Sequence, residues 1–190
     1  MSLRWTAQVD SNSTLTWEIP VSESDSQQVE LIGTSLLEAE LVRHGFEVAH
    51  PRRDRGIDLL VYRDEPNRAF AAVPVQIKAS SGERFDLDRK YERLAAAGLV
   101  LVYIWKIDER PQFFLLTYKD ALDVLGDAQK TTSWIKNGYY AFTNFVSVER
   151  KEKLRHFENQ WDWLHRHLDA AAVPEKVLSD NPGREKGGAP

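Results

Sequence analysis

Two short apolar runs in this chain carry polar side chains of a kind and spacing that can do chemistry. Gly56-Ile57-Asp58-Leu59-Leu60-Val61-Tyr62 sets one carboxylate among aliphatic residues, and Pro74-Val75-Gln76-Ile77-Lys78-Ala79-Ser80 carries a carboxamide and an ammonium two residues apart. Both runs have the composition of strands. Successive strand side chains alternate between faces, so Gln76 and Lys78 share one face. A hard divalent cation such as Mg²⁺ takes oxygen ligands and keeps several waters. Asp58 offers a carboxylate, Gln76 an amide oxygen, and Ile77 a backbone carbonyl between Gln76 and Lys78. Lys78 can hold or deprotonate an attacking water, or stabilise charge on a phosphate in the transition state. Together these groups suit metal-assisted hydrolysis of a phosphodiester. Taken singly they are ordinary: an aspartate near a strand end is a turn or cap residue, and Gln-x-Lys is a solvated strand face. It is the joint order that carries the functional reading.

The elements that must position these residues follow from periodicity. From Gln27 to His44 the apolar positions Val29, Ile32, Leu36, Leu37, Leu41 and Val42 recur at helical spacing, with Gly45 as the C-terminal stop. Phe46 to His50 alternates as a strand and ends at Pro51, and a charged turn then leads to the strand Ile57–Tyr62. A polar hairpin loop holding Pro66 precedes a long strand from Ala69 to Ala79, where Pro74 predicts a bulge or an exposed edge. Phe85-Asp86-Leu87 extends briefly, Asp88 caps a helix over residues 89–97, and Gly98 ends it. Leu99 to Trp105 is apolar throughout, the pattern of a central strand buried on both faces. Gln112 to Tyr118 is another strand, residues 119–125 a short helix, and residues 149–168 a helix with Leu154, Phe157, Trp161 and Leu164 on one stripe. Residues 126–147 are rich in aromatics and give no clear period. The order gives an α/β domain with a central mixed sheet. Its parts are a polar N-terminal arm over 1–26, an α/β core over 27–126, an aromatic segment and C-terminal helix over 127–169, and a Pro-, Gly- and charge-rich tail over 170–190 with the composition of disorder.

Bulk composition excludes several classes. The 190 residues suffice for one domain with a core, and the formal charge of -4 does not advertise nucleic-acid binding, although a local basic patch can outweigh it. The absence of cysteine removes disulfides, thiolate zinc sites and a cysteine nucleophile. Met1-Ser2-Leu3-Arg4-Trp5 lacks the apolar region of a signal peptide, and no apolar run reaches membrane-spanning length, so a cytoplasmic protein away from the membrane is expected. No Gly-rich phosphate loop, nucleotide fingerprint or nucleophile elbow is present.

A helix, a strand, Gly-Ile-Asp-Leu-Leu-Val and then a strand with Gln-Ile-Lys resembles the PD-(D/E)XK nuclease superfamily, the restriction-endonuclease-like fold, over roughly residues 27–118. The order is similar to that of Holliday-junction resolvases and of small uncharacterised bacterial members. The resemblance implies an αβββαβ core and Mg²⁺- or Mn²⁺-dependent cleavage of DNA. By motif position Asp58 is the metal-binding aspartate, Gln76 stands where Glu or Asp is usual, and Lys78 is the catalytic lysine. Many relatives carry a glutamate early in the first helix. Counted back from Gly45 that position is Thr34, and Glu38 lies one turn further on. Glu38 is therefore a fourth candidate site residue.

A basic cluster, Arg52, Arg53 and Arg55, precedes Asp58 directly and can contact phosphates of DNA, or serve only as a solvated turn. His156, His165 and His167 form no ligand set and read as surface or packing residues. Trp134, Tyr139, Tyr140, Phe142, Phe145 and the Trp161-Asp162-Trp163 stretch are apolar anchors that pack the C-terminal helix onto the domain or form a homodimer interface. The functional expectation is a metal-dependent DNA endonuclease of repair, recombination, restriction or phage defence. The alternative is a catalytically degenerate nuclease-fold protein that binds nucleic acid or a protein partner.

Overall fold

A computed structural model describes residues 8–9, 15–16, 26–53, 55–65, 70–142 and 147–172. Most of the expected C-terminal tail, most of the N-terminal arm, the Pro66 loop position and Phe145 lie outside the described residues. Near the N-terminus β1 (Gln8–Val9) pairs antiparallel with β2 (Leu15–Thr16). The elements of the core are α1 (Ser26–Arg43), β3 (Glu47–Ala49), β4 (Leu59–Tyr62), β5 (Ala72–Ser80), β6 (Phe85–Asp88), α2 (Glu92–Ala95), β7 (Val100–Trp105) and β8 (Gln112–Thr117). They are followed by α3 (Tyr118–Leu125), α4 (Thr132–Asn137), β9 (Tyr139–Phe142), α5 (Val148–Arg155) and α6 (Trp161–Ala171). The chain is an α/β protein built on a five-stranded mixed sheet of order β3-β4-β5-β7-β8. β3, β4 and β5 form an antiparallel meander. β7 runs parallel to β5 after a crossover, and β8 returns antiparallel to β7.

The two faces of the sheet carry two cores. Along β7 the residues alternate: Val100, Val102 and Ile104 join Leu37 and Leu41 of α1 and Trp161, Leu164 and Leu168 of α6. Leu101, Tyr103 and Trp105 join Phe85 and Leu87 of β6, Val124 of α3 and Trp134 of α4. All six residues of β7 are buried, as its unbroken apolar run predicts. On β4, Leu59 and Val61 belong to the α1 face, so Asp58 and Leu60 turn to the other. The expected Asp88 cap forms, its carboxylate accepting from the Lys90 amide at 2.8 Å. Thr117 and Asp120, not read as a cap from the sequence, close a reciprocal one at the start of α3.

α1 forms where the helical spacing predicts it. Leu37 and Leu41 are buried and Val29 and Leu36 pack on the same core, while Ile32 and Val42 are exposed. Gly33 sets the approach of α1 to the sheet, because a Cβ placed there would meet the Ala79 Cβ at 2.3 Å. Pro74 marks neither an edge nor an exposed site; it is buried in the interior strand β5, opposite Leu60. It is accommodated because the ladder to β7 begins only at Val75. The helix expected over 149–168 is two helices. Between them Asn159 adopts φ 53°, its amide donates to the Phe113 carbonyl at 2.8 Å, and the Leu115 amide donates to the Phe157 carbonyl at 3.0 Å. Edge strand β8 thus captures the segment and breaks the helical pattern. The unassigned stretch 126–147 holds α4 and then β9, which pairs with β6 as a two-stranded ribbon over the second core. Among the described residues, no helix is long and apolar enough to cross a membrane.

Candidate active-site cleft

The β4–β5 register pairs Leu59 with Val75 and Leu60 with Pro74, which sets Asp58 opposite Gln76 one step further on. The Asp58 amide donates to the Val75 carbonyl at 2.8 Å, fixing the residue at the mouth of the strand. Its Oδ2 accepts from Gln76 Nε2 at 2.5 Å and from the Ile77 amide at 2.6 Å. Gln76 Nε2 also lies 3.2 Å from the Ile77 carbonyl oxygen as a donor. The three expected cation ligands are therefore adjacent, and they are hydrogen-bonded to one another. Gln76, only 8% exposed, offers Asp58 its nitrogen, while its Oε1 faces the Gly56 side. Gly56 is required there: its φ is 84°, and a Cβ would lie 3.1 Å from the Tyr91 ring.

The next residue on that face, Lys78, enters a cleft of about 440 Å³ lined by Gln76, Ile77, Lys78, Arg84, Asp86 and Glu30. Lys78 Nζ donates to Asp86 Oδ2 at 2.9 Å and lies 5.4 Å from the Tyr91 ring centre. Burial alone pushes the Lys78 ammonium toward its neutral form. The Asp86 carboxylate, followed by the Tyr91 hydroxyl, more than offsets this and leaves the pKa above the usual lysine value. The charged form of Lys78 is thus favoured by its pairing with Asp86. Arg84 Nε donates to Asp86 Oδ1 at 3.1 Å, so one buried carboxylate joins two cleft cations.

Glu38 does not line this cleft. Its Oε1 lies 2.7 Å from His50 Nε2, at the end of β3. Glu30, two turns earlier on α1, is the helix carboxylate that reaches the cleft. Its position follows from the contact of Gly33 with Ala79, which lays the first turns of α1 over the C-terminal end of β5. Thr34 is half-buried between the two glutamates. Arg52, Arg53 and Arg55 are exposed and do not line the cleft; the Arg55 carbonyl accepts from Arg93 at 2.5 Å. Asp86 and Arg84 were not singled out by sequence as a functional pair. The available signal was the Arg-Phe-Asp-Leu alternation, which puts Arg84 and Asp86 on one face of β6.

The histidines of α6 pack, as the sequence reading holds. His165 accepts from Arg63 at Nδ1 (3.3 Å) and reaches the His44 carbonyl from Nε2 (3.0 Å), while its ring stacks on Phe46. His167 stacks on Trp163 and bonds the Gly98 carbonyl at 2.9 Å. Trp134 and Trp161 are buried in the chain's own two cores.

No group of three or more His, Cys, Asp or Glu side chains arranged to hold a metal exists among the described residues. A hard cation here has Asp58, the Ile77 carbonyl and, after a half-turn of its amide, the Gln76 oxygen. Mg²⁺ holds oxygens at about 2.0–2.1 Å, so its neighbouring ligands stand about 3 Å apart. The present Asp58–Gln76 spacing is 2.5 Å and has to open only slightly. The donor set fits a weakly held oxygen-ligated cation with one formal negative charge. Compared with models of known protein families and with curated proteins, the chain matches none.

Proposed function

We propose that this chain is a restriction-endonuclease-like protein of the PD-(D/E)XK type that hydrolyses phosphodiester bonds in DNA with the help of Mg²⁺ or Mn²⁺. The observation that carries the reading is the placement of Asp58, Gln76 and Lys78 together on one sheet face, at the lip of a polar cleft. The order of a helix, an antiparallel three-strand meander, a crossover and a parallel strand supports the fold assignment. Charge supports the metal. Glu30, Asp58 and Asp86 against Lys78 and Arg84 leave the site one unit negative, which does not attract a phosphate until a cation is added.

Asp58, Ile77 and Gln76 would hold the cation, which when bound supplies Lewis-acid polarisation of the phosphate and a more acidic water. Lys78, protonated, places a positive charge where the phosphorane-like transition state gathers negative charge. The Ile77 amide fixes the Asp58 carboxylate, so no reorganisation of that ligand is needed at reaction. The test is nicking of plasmid and of branched DNA in Mg²⁺ and Mn²⁺. Asp58→Ala and Lys78→Ala are each expected to lose about 10²-fold or more. Cleavage that persists in both variants refutes the assignment.

A second reading has its own observation. The Gln76 amide satisfies Asp58 without any cation, which suits a degenerate site that binds nucleic acid without turnover. It predicts salt-dependent binding, no cleavage, and weakening when Arg52, Arg53 and Arg55 are changed to Gln.

A further inference from the structure

We propose that Arg84 is a second phosphate-contacting cation of the cleft, and that Asp86 is a positioning residue that sets Arg84 and Lys78 side by side for it. The inference rests on the reading of the cleft as a phosphodiester site. Three observations lead to it. The Asp86 side chain is only 5% exposed, so it does not itself meet a ligand, yet each of its oxygens holds one cation. Both cations line the cleft and stay partly open, Lys78 at 22% and Arg84 at 46%. One carboxylate bridges them, Lys78 Nζ on Oδ2 at 2.9 Å and Arg84 Nε on Oδ1 at 3.1 Å, so the two cations stand side by side.

The segment carrying Arg84 and Asp86 is also fixed on every side. Tyr103 Oη donates to the Asp86 carbonyl at 2.7 Å, and Trp105 Nε1 donates to the Arg84 carbonyl at 2.6 Å. Both come from β7, so two aromatic side chains tie β6 to the central sheet. Arg84 donates through Nη2 to the Tyr139 hydroxyl at 3.1 Å. With Nε on Asp86, three of the five guanidinium N–H groups remain for the cleft. A buried carboxylate held this way costs desolvation that an apolar residue would not, and orientation of two exposed cations is what it gains. Lys78 and Arg84 outnumber Asp86, so the trio itself carries one net positive charge, although Glu30 and Asp58 make the whole cleft one unit negative until a cation is bound.

The inference opposes simple electrostatics, and this makes it testable. If Asp86 only neutralises its partners, Asp86→Asn adds a unit of positive charge and DNA binds more tightly. If it positions them, binding weakens. The full-length chain is titrated against a short fluorescein-labelled DNA duplex in Ca²⁺ by fluorescence anisotropy, across a salt series, with strand integrity checked on a denaturing gel. Arg84→Gln is expected to weaken binding about tenfold and to reduce the salt slope by about 0.9, one phosphate contact. Asp86→Asn is expected to lose a comparable factor and the same slope, and the double variant to lose no more than the worse single one. Equal or tighter binding by Asp86→Asn, an unchanged slope in Arg84→Gln, or no salt-dependent binding by the parent chain overturns the proposal. Thermal melts accompany each variant. If Asp86→Asn gives no cooperative melt, Tyr139→Phe decides: a two- to threefold loss supports positioning of Arg84, and none refutes it. A chain that binds through Arg84 and never cuts leaves this inference standing while the nuclease reading falls. Cutting with unchanged slopes does the reverse.

Discussion

Gln76→Glu tests the central pair directly. In the parent chain Gln76 Nε2 donates to Asp58 Oδ2 at 2.5 Å, with Gln76 8% exposed. The substitution is isosteric, so packing hardly changes, but a donor becomes a second carboxylate. The lost hydrogen bond to a charged acceptor is worth about 1.5–3 kcal/mol. Like charges about 4 Å apart add repulsion of up to about 4 kcal/mol at an effective dielectric near 20. Protonation limits the total, because the pair keeps one proton when that is the cheaper course. The expected loss at pH 8 without divalent cations is about 3 kcal/mol, or about 6–12 °C in midpoint for a chain of this size. The sign with pH follows. The pair's upper folded pKa is raised above the unfolded glutamate value of about 4.3, so the penalty is present above the folded pKa and fades as pH falls toward about 4. Mg²⁺ supplies the missing positive charge, and saturation at about 100 times Kd returns about 2.7 kcal/mol. The assay is thermal unfolding followed by tryptophan fluorescence at pH 5 and pH 8, with and without Mg²⁺. Equal midpoints for parent and variant at pH 8 without metal would show that the Asp58–Gln76 contact is not the determinant argued here.

Two further outcomes follow from the geometry. Gly33→Ala raises intrinsic helix propensity by about 1 kcal/mol, yet the added Cβ would collide with the Ala79 Cβ at an overpacking cost of about 1–3 kcal/mol, so the variant is expected to lose up to about 2 kcal/mol in chemical unfolding; a stabilised variant would mean that α1 does not rest on β5 as described. Lys78 has a raised folded pKa from Asp86 despite burial, so its contribution to stability is complete below the unfolded value of about 10.4 and is lost as pH rises through the folded value. Parent and Lys78→Met unfolding midpoints should therefore differ by a constant amount from pH 6 to 9 and converge only above about pH 10.5; convergence near neutrality would show that Lys78 titrates there as a base.

The parts of the fold that could be read from the chain are those where local chemistry and burial agree. Leu99 to Trp105 is apolar throughout and becomes the strand buried on both faces, and the Asp88 cap forms at the expected helix start. What could not be read depends on contacts between distant segments. The break at Asn159 arises because Phe113 and Leu115 of an edge strand offer backbone partners more than 40 residues away. The same limit applies to the site. Asp58, Gln76 and Lys78 were found because strand periodicity puts Gln76 and Lys78 on one face, and antiparallel pairing brings Asp58 opposite Gln76. Finding Glu30 at the cleft in place of the expected Glu38 required the crossing point of α1 on the sheet. That point is set by one glycine against one alanine, and no periodicity reports it.

Glutamine in place of an acid changes what the site does before any cation arrives. Two carboxylates 2.5 Å apart would need a metal or a shared proton to keep the strand ends together. One carboxylate and one amide need neither, because the amide nitrogen takes the cation's place against Asp58. Cation binding then requires that the amide turn over and give up this bond, so affinity is lower by about the bond's worth, a factor of about ten or more. The cleft's buried carboxylate does not make up the deficit, since Asp86 is already taken by Lys78 and Arg84. If the cleft is a phosphodiester site, the phosphate itself would help to hold the metal. Cation affinity measured with DNA present should exceed that of the free chain, and by linkage the cation should tighten DNA binding by the same factor.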